Sequence, residues 1–229
     1  MAPIAQLCYI SAGENMKLIF VRHAQSKANA AGQWQGRGET ELSELGEQQA
    51  AKLGERFVAE GFEPTHVYSS PMIRTSETAR IATAAWDYPI TPFEDLIEID
   101  VGVFGGKTWE EVQAHYPEVA RLYHETRNWD HVPQAEKMQD RRDRAERAIA
   151  RIIADHSNED IVLAFSHGGI IHYLFAALMG VDRLWGLSVG NTALFDFELD
   201  VDRWHHSDST ILNTNLWRIN RFNDTYHLD

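Results

Sequence analysis

Short apolar runs alternate with longer amphipathic segments along this chain. The runs are rich in β-branched and aromatic residues, and such runs are typical of buried strands. The clearest of them is Ile161–Phe165, in which every residue is apolar. The predicted strands are Leu18–Val21 (in a strand that begins at Met16), His66–Ser69, Ile161–Phe165, Ala193–Leu199 and Ile211–Ile219.

The segments between these runs have the spacing of helices. Ser43 is a typical N-cap, and Pro71 suits the first turn of a helix. The most charged segment has a stripe of alanines and isoleucines, so its charged residues are expected on a solvated face. The predicted helices run from Ser43 to Gly61, from Pro71 to Ala85, over Ala135–His156 and from beyond Gly169 through Met179.

Alternating strands and helices predict an α/β fold of three layers, with a mostly parallel sheet and helices on both faces. The length suits one domain over residues 16–229. Residues 1–15 lack clear periodicity and are expected to be an N-terminal extension, with an ordinary packed arm as the alternative. The aromatic- and proline-rich segment of about 90–134 is predicted to be an insertion or lid beside the active face.

Composition narrows the class of partner. The net charge of −13 argues against nucleic acid and anionic membranes as partners, and no run is apolar enough to span a bilayer. The single cysteine, Cys8, excludes an internal disulfide and fits a cytoplasmic protein. An anionic substrate would therefore need a local positive pocket in an acidic surface.

Charged and imidazole side chains follow the predicted strands. Arg22 and His23 end the first strand, and Arg74 lies one turn into the helix after the second. His167 follows the clearest strand and precedes two glycines. Because polar residues at strand ends meet at one edge of an α/β sheet, this set predicts a phosphoryl-transfer site. His23 is the candidate nucleophile, and Arg22, Arg74 and His167 would hold the phosphoryl oxygens.

A proton donor for the leaving oxygen is expected in the middle region. Glu98 is the candidate, and it would later accept a proton from water. We expect it to be partly buried and away from the arginines. Glu94, Asp95 and Asp100 are neighbouring carboxylates that remain open as alternatives.

Five sequence blocks, taken together, resemble the histidine phosphatase superfamily, also called the phosphoglycerate mutase-like group. The blocks occur in the family's order from Met16 to the end of the chain. Its phosphatase branch is favoured because Glu98 is followed by Ile-Asp-Val-Gly and not by the mutase pattern Arg-x-Tyr-Gly-Gly. The blocks are Arg22–Ser26 with Asn29, Gln35–Gly36, Leu42–Ser43 and Gly46; Ser69–Ala79; Leu96–Gly106; Phe165–Gly169; and Asn223–Leu228.

The resemblance implies a histidine acid phosphatase-type phosphomonoesterase that needs neither metal nor cofactor. It implies His23 as nucleophile, Glu98 as proton donor, and a phosphate pocket of Arg22, Arg74 and His167. Asn29 and Gln35 are implied as secondary phosphate contacts. Two positions depart from the family pattern: Ala24 replaces a glycine, and Glu136 stands in an altered Gly-Glu-Ser block, which leaves its substrate contact open.

The substrate and two other functions remain open. A small phosphorylated metabolite is the expected substrate, and a homodimer is the default oligomer. The alternatives are a phosphoglycerate mutase, which returns the phosphoryl group to its substrate, and a non-catalytic phospho-ligand binding module. His172 and the pair His205–His206 are expected to be packing or surface residues and not metal ligands. Trp34 is the aromatic residue expected to line the substrate entrance.

Overall fold

A computed structural model describes residues 15–184, 186–204 and 217–229. Its six strands form one sheet in the order β3-β2-β4-β1-β5-β6. The pairs β1–β4, β2–β4 and β2–β3 are parallel, whereas β5 is antiparallel to β1 and β6, so the sheet is the mostly parallel one that was predicted. The strands are β1 Met16–Arg22, β2 His66–Ser69, β3 Ile90–Pro92, β4 Ile161–Ser166, β5 Leu194–Leu199 and β6 Trp217–Asp224.

Seven α-helices flank this sheet in the described residues. Ser43 is the N-cap of α2, as predicted, and its hydroxyl accepts a hydrogen bond from the Gly46 amide. The helices are α1 Lys27–Ala30, α2 Glu44–Ala59, α3 Ile73–Ala82, α4 Trp109–His115, α5 Pro117–Thr126, α6 Met138–Asp155 and α7 Gly168–Met179.

The alternation of side chains along β1 gives the fold its three layers. Leu18 and Phe20 lie in one hydrophobic core, with residues of α6, α7 and the segment 93–135. Ile19 and Val21 lie in a second core, with residues of α2 and α3. Because successive side chains of a strand point to opposite faces, both faces of the sheet are covered by helices.

Helix α6 is shorter than predicted, and its charges are not all solvated. It begins at Met138 because the residues before it pair with an earlier loop: Ala135 bridges Val101, and the Glu136 amide donates to Asp100. The prediction of a fully solvated charged face is wrong for Arg141 and Arg144, which are buried. Their partners are described with the site below.

The segment predicted as an insertion begins as the short edge strand β3 and continues through α4 and α5. Its aromatic residues pack against the β-sheet core and border the carboxyl ends of the strands. A lid function stays a prediction. Residues 1–14 of the predicted N-terminal extension lie outside the described residues. Residues 211–216 of the last predicted strand and the pair His205–His206 also lie outside them.

Within the described part of the chain, no helix is long and apolar enough to cross a membrane.

Candidate active site

The predicted site residues converge at the carboxyl ends of three neighbouring strands. β4 lies between β2 and β1, and Arg22 on β1 stands opposite Ser166 on β4. The residues that follow these two, His23 and His167, therefore lie side by side, and their ring centroids are 5.1 Å apart. Parallel pairing of β1 and β4 thus unites two histidines that are far apart in sequence.

His23 is buried and has a defined hydrogen-bond arrangement. Its Nδ1 lies 2.7 Å from the Ala24 carbonyl oxygen, which can only accept, so Nδ1 carries the proton. Nε2 then has a lone pair, and the Arg74 Nε–H donates to it at 3.3 Å. Burial, together with the positive charges of Arg22 and Arg74, holds the pKa of His23 well below its usual range. The imidazole is therefore neutral, with its lone pair on Nε2.

Two guanidinium groups lie beside this imidazole. Arg74 is fully buried, and it donates to the carbonyl oxygens of Gly38 at 2.9 Å and Gly36 at 2.8 Å. Arg22 donates to the Val189 carbonyl, and its buried Nε has no hydrogen-bond partner among the described residues. Both side chains border the cavity described below, so each has donors available near a bound anion.

His167 is fully buried behind His23 and does not itself line that cavity. Its Nε2 contacts the hydroxyls of Ser70 at 2.8 Å and Thr75 at 3.1 Å. Its Nδ1 is buried without a partner among the described residues. Burial and the nearby Arg74 lower the pKa of His167, so the ring is neutral. If the hydroxyls donate to Nε2, then Nδ1 carries the proton that an anion would accept.

Asn29 and Gln35 both line the cavity with their amides oriented by the loop around α1. The Asn29 Oδ1 accepts from the Ser26 amide at 3.2 Å in a capping box. The Gln35 Oε1 accepts from the hydroxyls of Ser26 and Thr40, each at 2.9 Å. Since both amide oxygens are occupied, the NH₂ groups are the parts of these side chains that can donate to a ligand.

Glu98 lies at the N-terminus of α7 and is half-buried, as expected. One carboxylate oxygen accepts from the amides of Ile170 at 3.0 Å and Ile99 at 2.8 Å, and the other accepts from the Gly169 amide at 3.0 Å. Three backbone donors therefore fix the orientation of this carboxylate at the rim of the cavity.

The expectation that Glu98 lies away from the arginines is only partly right. In the described residues its carboxylate accepts from backbone amides and not from Arg22 or Arg74. Burial lowers the pKa of both guanidinium groups, and the charge of Glu98 opposes that shift in both. The carboxylate thus shares one electrostatic environment with the two arginines.

The alternative carboxylates occupy other places. Asp95 pairs with Arg147 at 3.2 Å, and Asp100 accepts from the Gly102 amide at 2.8 Å. Neither these two nor Glu94 lines the cavity, whereas Glu98 does.

Glu136, whose role the sequence left open, forms an ion pair with a residue predicted to be solvated. Its carboxylate lies 2.8 Å from Arg144 and 3.1 Å from Arg37. Arg144 also donates hydrogen bonds to the carbonyls of Asp95 and Ile97. These contacts link α6 to the loop that carries Glu98.

The cavity in front of His23 has a volume of about 560 Å³. Among the described lining residues, the charged side chains are three arginines and one glutamate. A local positive pocket therefore exists in a chain whose net charge is −13. Such a pocket favours an anionic ligand. The residues that line the cavity include Arg22, His23, Asn29, Trp34, Gln35, Arg74, Glu98, Tyr123, Arg127, Trp129, Gly169 and His172.

An aromatic wall and one arginine of the cavity were missed by sequence reasoning. Trp34, expected at the entrance, lies in the wall, and its ring centroid is 5.3 Å from that of Trp129. Trp129 in turn lies 4.5 Å from Tyr123. Arg127, at the end of α5, also lines the cavity. These three missed residues belong to no block of the sequence resemblance, so only the tertiary fold brings them here. Ser70 and Thr75 lay in such a block, but nothing indicated that they contact His167.

If Glu98 is the proton donor that the sequence predicts, Gly169→Ala lowers kcat strongly while the protein stays folded. A Cβ at Gly169 would lie 2.5 Å from a Glu98 oxygen and 2.8 Å from an Ile99 carbon, so the carboxylate has to move. A misplacement of about 1 Å costs on the order of 10²-fold in rate. Steady-state phosphate release measures the loss. Gly168→Ala is the matched control, since its Cβ would meet Arg22 at an ordinary 3.4 Å. Equal losses in both variants would contradict the steric argument.

Comparison with known proteins agrees with this geometry. The model of the histidine phosphatase superfamily (branch 1) matches residues 18–210. The chain therefore belongs to the histidine phosphatase superfamily.

Two curated relatives and one solved structure are similar over most of their length. Phosphoserine phosphatase 1 of Hydrogenobacter thermophilus is 32% identical over 180 residues, which are 78% of this chain and 84% of that protein. The metal-independent phosphoserine phosphatase of Arabidopsis thaliana is 30% identical over 196 residues, 83% of this chain and 82% of the relative. The structure of Bacillus stearothermophilus YhfR has a TM-score of 0.77 at 28% identity, and the match covers 93% of this chain and all of the other.

Proposed function

We propose that this protein hydrolyses small phosphomonoesters through a covalent phosphohistidine on His23. The observation that carries the proposal is the state of that imidazole: it is neutral, its Nδ1–H is bound to the Ala24 carbonyl, and its Nε2 lies 3.3 Å from Arg74 in the cavity that Arg22 also lines. A fixed lone pair beside donors for the phosphoryl oxygens is what an in-line displacement at phosphorus needs.

In the first step, the Nε2–phosphorus bond forms and the bond between phosphorus and the ester oxygen breaks. Glu98 gives its proton to the departing oxygen, so the alcohol leaves neutral. Arg22 and Arg74 stabilise the charge on the nonbridging oxygens. His167 does not line the cavity; its Nε2 contacts Ser70 and Thr75, and its ring packs against that of His23, so its role would be to position the nucleophile.

In the second step, water attacks the phosphohistidine. The new oxygen–phosphorus bond forms, the phosphorus–Nε2 bond breaks, and Glu98 takes the proton of the water. Ester and water thus become alcohol and inorganic phosphate, and the enzyme returns to its starting state. No step requires a metal ion.

The experiment that tests this function is the release of phosphate from p-nitrophenyl phosphate and a panel of small phosphomonoesters in excess chelator. The proposal predicts sustained release. Isomerisation of a phosphoglycerate without release would identify a mutase instead. Inactivity in both assays, with thermal stabilisation by inorganic phosphate, would identify a binding module.

The outer part of the cavity suits a phosphomonoester whose alcohol part carries a carboxylate. Arg127 is exposed there, its guanidinium lies 5.8 Å from the Tyr123 ring, and among the described residues no carboxylate lies within ion-pair distance of it. Two relatives are named phosphoserine phosphatases, and phosphoserine has such a carboxylate. We therefore propose that Arg127 recognises the carboxylate of the substrate.

Arg127→Gln is expected to raise KM for phosphoserine about tenfold, roughly 1.4 kcal/mol, with kcat little changed. Phosphoethanolamine lacks the carboxylate, so its KM is expected to stay the same. Initial-rate kinetics with both esters measure the difference. Arg121→Gln is the matched control, because Arg121 lies on the same helix and pairs with Glu118 and Glu125. A similar change in KM for both esters would contradict the assignment of Arg127.

A further inference from the structure

A second cluster of chemically active side chains lies at the amino ends of β2 and β4, at the opposite end of the strands from the candidate active site. His66 is the first residue of β2, Asp160 immediately precedes β4, and His156 immediately follows α6. Since β2 and β4 are parallel, their first residues lie at the same end of the sheet. His23 and His167 follow the carboxyl ends of β1 and β4, at the opposite end. None of the three lines the cavity of the candidate active site.

The three side chains have the spacing of a metal ligand set. His66 Nδ1 lies 3.4 Å from one oxygen of Asp160, and His156 Nδ1 lies 3.6 Å from the other. One donor atom from each residue lies within 4.8 Å of the others. Two ligands of a tetrahedral zinc ion, each bound at about 2.0 Å, are separated by about 3.3 Å. Small side-chain movements would therefore give three coordination bonds.

The state of the buried His156 points to a ligand. Its side chain is 1% exposed, and its Nδ1 has no hydrogen-bond partner among the described residues. The other ring nitrogen, Nε2, lies 3.0 Å from the Tyr68 hydroxyl. In the tautomer in which Nε2–H donates to the Tyr68 hydroxyl, Nδ1 presents a lone pair towards the Asp160 carboxylate, and a cation between these two acceptors would satisfy both.

The surroundings hold this arrangement in place. The Ser157 amide donates to Asp160 at 2.8 Å and orients its carboxylate. Contacts of this kind around metal ligands fix their orientation. The Thr65 hydroxyl lies 3.1 Å from Asp160 and 2.9 Å from His66 Nδ1, and a metal ion would replace the contact to His66.

We propose that His66, His156 and Asp160 bind one divalent transition metal ion of the zinc class. Two imidazoles and a carboxylate suit such an ion, and a water molecule on the exposed side of His66 completes a tetrahedron. The ion would join the start of β2, the end of α6 and the start of β4. The role of the ion would be structural. The sequence analysis expected no metal ligands, and this site was not visible there because 90 residues separate His66 from His156.

The test uses the full-length protein, freed of metal with chelator. Zn²⁺ binding is measured by calorimetry, Co²⁺ binding by its visible absorption, and thermal unfolding with and without Zn²⁺. The proposal predicts one strong site per chain, an intense tetrahedral Co²⁺ spectrum, and a higher unfolding temperature with Zn²⁺. His66→Ala, at a half-exposed position where folding is little affected, is expected to weaken binding at least about 100-fold.

Further variants separate this site from other chelating groups. His156→Ala is expected to behave as His66→Ala does, and Tyr68→Phe to weaken Zn²⁺ binding about tenfold. His115→Ala, at an exposed histidine of α4, and a double His205→Ala and His206→Ala variant are expected to bind Zn²⁺ as the wild type does. Absence of a tetrahedral Co²⁺ spectrum, or unchanged Zn²⁺ affinity in His66→Ala and His156→Ala, would overturn the proposal.

Discussion

His23→Ala is expected to lower phosphoester hydrolysis by at least about 10⁴-fold, roughly 5.5 kcal/mol in the activation free energy. The variant loses the lone pair that would attack phosphorus, and the neighbouring His167 is fully buried, does not line the cavity and has its Nε2 in contact with Ser70 and Thr75. Phosphate release from p-nitrophenyl phosphate in excess chelator measures the loss.

Two controls make the His23→Ala result interpretable. His23 is buried, so the variant is first shown to be folded by thermal unfolding. His115→Ala removes an exposed imidazole that does not line the cavity and is expected to retain full activity. A folded His23→Ala variant within about tenfold of wild type would rule out His23 as the nucleophile.

Glu98→Gln is expected to produce the second largest effect, and its size depends on the leaving group. The glutamine cannot protonate the departing oxygen, so kcat/KM for an alkyl phosphate should fall by about 10²–10⁴-fold. Nitrophenolate leaves without protonation, so kcat/KM for p-nitrophenyl phosphate should change far less. A series of esters with graded leaving groups measures this dependence, and kcat/KM isolates the step up to loss of the alcohol.

The matched control for Glu98→Gln is Asp100→Asn. Asp100 is two residues away and half-buried, but it accepts a hydrogen bond from Gly102 and does not line the cavity. Its variant should show the wild-type dependence on leaving group. Equal slowing of good and poor leaving groups by Glu98→Gln would show that another group is the acid.

The sequence predicted those parts of the site that follow directly from strand order. Arg22, His23 and His167 follow apolar runs that the pattern identifies as strands, and parallel pairing then brings them together. The edge strand β3 was missed because it has three residues, one of which is Pro92. Short runs of this kind have too few positions to show a period.

Other features depend on tertiary contacts that no local pattern records. Arg141 and Arg144 look like solvated helix residues, yet Arg141 donates to the Tyr173 hydroxyl at 3.0 Å and Arg144 pairs with Glu136. Gly169, the second of the two glycines after His167, lines the cavity and gives room to the Glu98 carboxylate, a contact that sequence spacing does not record.

The aromatic wall illustrates the same limit. Tyr123 and Trp129 belong to the segment between β3 and α6, whereas Trp34 belongs to the loop after α1. Spacing along the chain does not relate these residues to one another or to Arg127. Only the packing of that segment against the core places them around one cavity.

The stereochemical course at phosphorus tests the central claim most directly. The substrate is a phosphorothioate monoester made chiral with oxygen isotopes, hydrolysed in water enriched in a third isotope. Attack by His23 followed by attack by water inverts phosphorus twice, so the account predicts net retention of configuration. Net inversion would mean that water attacks the ester directly, and it would contradict the phosphohistidine intermediate.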